Sequence, residues 1–90
     1  MPALVEPLDG RPDIEYPCRW RYRVIGRDGL TLRAVVATLL GDREYTVADG
    51  NTSRSGKYRS IDLNVLVPDE DTRLSIFYQL SWHEDVAFVL

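Results

Sequence analysis

Residues 50–58 read GNTSRSGKY, which brings glycines, hydroxyls and a Gly-Lys pair together as a phosphate-binding loop does. That loop needs a glycine, four residues, then Gly-Lys followed by Ser or Thr, because its backbone N–H groups wrap the phosphates and the last hydroxyl holds magnesium. Here five residues separate Gly50 from Gly56, and Tyr58 stands where the compact hydroxyl is required. The segment that follows, YRSIDLNVLV, alternates in polarity as a strand does, whereas a phosphate loop must open a helix. Residues 50–57 are therefore read as a flexible polar turn between two strands that binds no nucleotide.

Other reactive side chains fare no better. Cys18 lies beside Arg19, and a guanidinium can lower a thiol's pKa, but no histidine or second cysteine lies near it to complete a nucleophilic pair. It reads as a small apolar residue. His83 is the single histidine, so a metal site or triad would have to be assembled from scattered acids; it reads as a helix-end residue favourable to the dipole. Asp69, Glu70 and Asp71 sit where a helix begins and read as its cap, and the stretch after Pro68 lacks the central glycine and terminal glutamate of a calcium loop. No catalytic residue, metal ligand or cofactor is assigned, and the chain is expected not to be an enzyme.

The 90 residues suit one domain. The net charge of −3 is unevenly spread. Residues 1–15 carry Glu6, Asp9, Asp13 and Glu15 against Arg11, while residues 16–90 hold ten acids and ten bases. A neutral body with an acidic leading segment lacks the surplus of Lys and Arg that nucleic-acid binding requires, so no nucleic-acid partner is expected. One cysteine permits no internal disulfide and suggests a reducing compartment. With no apolar run of membrane-spanning length and no signal-peptide pattern at the start, a cytoplasmic protein without membrane contact is expected.

The elements follow from periodicity. Residues 1–14, rich in proline and without a sustained period, read as a flexible arm ahead of a single domain over 15–90. From Cys18, Trp20, Tyr22 and Val24 alternate with Arg19, Arg21 and Arg23, as in a half-buried strand. Asp28 then caps a helix whose Leu32, Val35, Val36, Leu39 and Leu40 form one stripe, with Gly41 as its stop. Residues 44–49 form a second strand, and the third sets Ile61, Leu63, Val65 and Val67 against Ser60, Asp62 and Asn64. Pro68 ends it. A second helix runs to about Trp82 with Ile76, Phe77 and Leu80 inward, and residues 86–90 form a last strand. The order βαββαβ predicts an α+β, ferredoxin-like domain: a four-stranded antiparallel sheet, strands one and three central, both helices on one face.

YPCRWRYRVIG at 16–26, NTSRSGKYRSIDLNV at 51–65 and IFYQLSWHEDVAFVL at 76–90 together resemble the YbeD-like family of small uncharacterised bacterial proteins. The resemblance covers nearly everything after Ile14. It implies a fold similar to ACT-type regulatory domains and a non-enzymatic regulatory module, with no catalytic residues to carry over. His83 departs from it, standing where such proteins usually have an aliphatic residue.

Within this plan Trp20, Tyr22 and Tyr45 fall in phase with the helix-covered face, so the base-stacking aromatics of RNA-binding sheets are missing from the open one. The open face instead collects Arg19, Arg21, Arg23, Asp62 and Asn64, with Tyr58 expected beside them. Opposite charges across neighbouring strands make a ladder, yet three arginines against Glu44 and Asp62 leave a positive surplus suited to a carboxylate or an acidic partner. Phe77, Tyr78 and Trp82 can display an aromatic patch on the second helix. The last strand, apolar on both faces and without charge or proline, is expected to self-associate through Val86, Phe88 and Leu90 as a homodimer. These features predict a regulatory or protein-interaction module. The alternative is an ACT-like sensor binding a small anionic metabolite between two subunits.

Overall fold

The computed structural model describes residues 14–90. The arm expected over residues 1–14 lies outside that range except for Ile14. The elements are β1 (Cys18–Gly26), α1 (Gly29–Leu40), β2 (Tyr45–Thr52), β3 (Arg59–Val67), α2 (Glu70–Ser81) and β4 (Phe88–Val89). The sheet order is β2-β3-β1-β4, with every neighbouring pair antiparallel. This is the ferredoxin-like α+β plan, with β1 and β3 in the centre as expected.

Local chemistry sets the helix starts. Asp28 accepts hydrogen bonds from the Thr31 N–H at 3.0 Å and its hydroxyl at 2.6 Å, and Asp69 accepts from the Thr72 N–H at 2.7 Å. These bonds hold both carboxyls below the usual aspartate range. α1 stops at Gly41, whose φ of +55° favours glycine and whose N–H reaches the Ala37 carbonyl. The core fills the space between sheet and helices: Tyr22 and Val24 of β1, Leu32, Val36 and Leu40 of α1, Ile61, Leu63, Val65 and Val67 of β3, and Ile76 and Leu80 of α2.

Two elements differ from expectation. β2 runs on to Thr52, with an irregularity between Asp49 and Thr52 where Gly50 passes against Ser60; a Cβ there would lie 2.3 Å from the Ser60 hydroxyl. The turn that follows is tied through Ser53, which donates its N–H to the Tyr58 carbonyl and accepts from the Tyr58 N–H. β4 is shorter than residues 86–90. A turn centred on His83 holds the preceding residues, its Nδ1 accepting from the Asp85 N–H at 3.1 Å and its carbonyl from the Val86 N–H at 3.0 Å. His83 thus shapes the turn into β4 rather than ending the helix alone.

Candidate functional site: the open sheet face

Strand register places Arg19, Arg21, Arg23 and Ile25 of β1 beside Leu66, Asn64, Asp62 and Ser60 of β3, all on the face away from the helices. Glu44, just before β2, and Thr46 and Ala48 of β2 also lie on this face, and β4 adds Phe88 opposite Ile25. Phe88 and Leu90 remain 59% and 72% exposed, so an apolar corner adjoins the arginine row.

The row is partly neutralised. Arg23 Nε donates to Asp62 Oδ1 at 3.0 Å, and Arg19 pairs with Glu44 by reaching across β3. Such exposed pairs each contribute up to about 1 kcal/mol. Arg21, between them, has no acidic partner among the described residues. Across from it the Asn64 Oδ1 is buried and accepts no hydrogen bond among the described residues. The structure therefore brings together Arg19, Arg21, Arg23, Asp62 and Asn64. Tyr58 is not with them. It lines a cleft of about 300 Å³ with Gly26, Asp28, Thr31 and Asp85 at the far end of the sheet, because the turn before β3 bends it towards the start of α1.

The Val86, Phe88, Leu90 grouping also needs correction. Val86 is only 7% exposed and belongs to the core, because the His83 turn breaks the alternation that would align it with Phe88. Phe88 and Leu90 alone present an exposed edge. Tyr78 of α2 and Trp82 just after it are exposed with ring centroids 6.1 Å apart, whereas Phe77 packs against the core. Cys18 is half-buried against that core.

A cluster beneath α2 escapes the sequence reading. Arg73 lies 4.5 Å over the Trp20 ring and donates from Nε to the Tyr16 hydroxyl at 2.8 Å, and its carbonyl accepts from the Tyr22 hydroxyl at 2.7 Å. Its one sequence signal is that Arg73 occupies a core-facing helical position, at i, i+3 and i+7 with Ile76 and Leu80. The Tyr16 bond raises the Arg73 pKa further, so it remains a cation, and it anchors α2 over β1.

Burial pushes the Tyr22 hydroxyl up to about 12, against the lowering influence of Arg73. The folded pKa lies above the unfolded value, so this contribution is complete below about pH 10 and is lost as pH rises towards 12. Wild type should lose on the order of 2 kcal/mol more than Tyr22→Phe between those limits, since two units of pKa correspond to roughly that energy. Parallel urea melts at pH 9 and pH 11.5 check this; equal losses refute it.

The fold and this face define a ferredoxin-like α+β domain with one charged, partly apolar sheet surface that no helix covers among the described residues. The chain belongs to the family described as "Protein of unknown function (DUF493)", whose profile matches residues 11–90. It is 41% identical over 73 residues to an uncharacterized protein of Campylobacter jejuni, covering 81% of this chain and 84% of that one. A UPF0250 protein of Hahella chejuensis is 32% identical, over 88% of this chain and 91% of its own. The solution structure of protein HP0495 from Helicobacter pylori superimposes with a TM-score of 0.78 at 30% identity, covering 99% of this chain and 98% of that one. These matches bear out membership of a family of small bacterial proteins.

Proposed function

We propose that the protein is a small, non-enzymatic, cytoplasmic regulatory module that works by binding another protein through its open sheet face. The observation that carries this reading is that one face holds both Arg21, an arginine without an acidic partner among the described residues, and, past Arg23 on the same strand, the exposed apolar pair Phe88 and Leu90. Protein interfaces pair a desolvated apolar anchor with nearby charge that sets specificity. Among the described residues no helix is long and apolar enough to cross a membrane, and no group of three or more His, Cys, Asp or Glu residues is placed to hold a metal.

A second reading rests on Arg21, which has no acidic partner among the described residues. A small anionic ligand would pair with it, as expected of an ACT-like sensor, with Phe88 and Leu90 available to pair two subunits. Affinity capture with the tagged chain from its own cells separates the readings. For the protein module, Phe88→Ala and Arg21→Ala should each weaken retention of the same bound protein, with about 30-fold lower affinity for an anchor residue. For the sensor, a bound small anion should be lost with Arg21→Ala. A capture profile that neither substitution changes overturns both.

A further inference from the structure

We infer that the N-terminal half of β1 is a docking slot for an extended acidic segment of a partner protein, added to the sheet as a strand in line with β4. The inference rests on the interaction reading above and specifies its geometry. Arg23 exchanges backbone hydrogen bonds with Leu90 at 3.0 and 2.9 Å, and the Ile25 carbonyl accepts from the Ala87 N–H at 2.7 Å. The odd-numbered residues of β1 therefore aim their backbone groups towards the β4 side, while Trp20, Tyr22 and Val24 aim theirs towards β3. Leu90, next to β4, lies opposite Arg23. Among the described residues no strand faces Arg19 and Arg21, whose N–H and C=O groups point out from the same edge.

The side chains around this edge select the occupant. On the open face an added strand would lie beside Arg19 and Arg21. On the helix face it would lie beside Trp20, held flat under Arg73, and the half-buried flank of α2 that carries Phe77. Successive residues of a strand alternate between faces, so the matching segment alternates acidic and apolar side chains. Charge complementarity favours an acidic partner over a second copy, because pairing this edge with itself would set arginine rows against each other. The outer edge of β2, by contrast, carries Asp49 and an irregular register, which discourages strand addition.

Hydrogen exchange of the full chain by NMR tests the slot. In the free protein the Arg19 and Arg21 amides should exchange at least about tenfold faster than those of Trp20 and Tyr22, as unpaired edge groups do. A capped hexapeptide alternating glutamate and valine should slow the two edge amides at least about fivefold, whereas its lysine–valine counterpart should not. Arg21→Glu, checked for an unchanged melting profile, should abolish the effect; Arg21→Gln serves instead if that variant unfolds. Edge amides already protected in the free chain overturn the proposal, and protection that disappears on removing residues 1–13 identifies the chain's own leading segment as occupant. No slowing, or equal slowing by both peptides, also overturns it. If Phe88→Ala weakens capture of a protein while the edge amides stay unresponsive, the slot fails but the interaction reading stands.

Discussion

Leu63→Ala is expected to lower stability by about 2–5 kcal/mol, the range for truncating a fully buried leucine. Leu63 is 0% exposed in the middle of β3, opposite Tyr22 on one side and Val47 on the other. Both neighbours belong to strands of the same sheet and both helices press from above, so little can move to refill the space. Domains of this size are stable by about 5–15 kcal/mol, so the loss is a large fraction of the total. The melting temperature should fall by roughly 8–40 °C, at about 4–8 °C per kcal/mol. Leu66→Ala, on the open face of the same strand, should shift it by only a few degrees, and similar losses at the two positions would disprove the assignment of faces.

Gly26→Ala should destabilise by about 1–3 kcal/mol or more, an overpacking cost where the neighbours cannot yield. A Cβ at Gly26 would lie 2.6 Å from the Asp85 carbonyl oxygen and 2.7 Å from Leu32 Cδ2. Leu32 is fully buried, and Asp85 sits in the hydrogen-bonded His83 turn, so relief must come from moving the chain that leads into β4. The substitution therefore should loosen β4 before the rest of the sheet. Hydrogen exchange at Ala87 and Leu90, whose N–H groups bond to Ile25 and Arg23, should accelerate more than exchange at the centre of β3. Uniform acceleration would mean that the clash is relieved globally. Because β4 carries Phe88 and bounds the edge slot, the same variant links the fold to the proposed binding face.

Much of the architecture is legible in the order of residues. The alternation from Cys18 to Val24 and from Ser60 to Val67 defines both central strands, since a strand half-buried under helices must present apolar groups at every second position. Asp28 and Asp69 mark the helix starts because only a short acceptor there can satisfy the free N–H groups of the first turn. The phases of those two strands also assign Arg19, Arg21, Arg23, Asp62 and Asn64 to one face. Tertiary structure decided the rest. Whether Val86 lies with Phe88 depends on the turn before it, and that turn is held by His83 and Asp85, which periodicity does not register. Tyr58 leaves its strand's phase because β3 begins only at Arg59. Arg73 becomes an anchor because Trp20 and Tyr16 come from 53 and 57 positions away in the chain. Pairing partners and the ends of strands are settled by contacts between segments distant in sequence, so the edge of β1 that no described strand faces, and the slot inferred from it, belong to the folded chain alone.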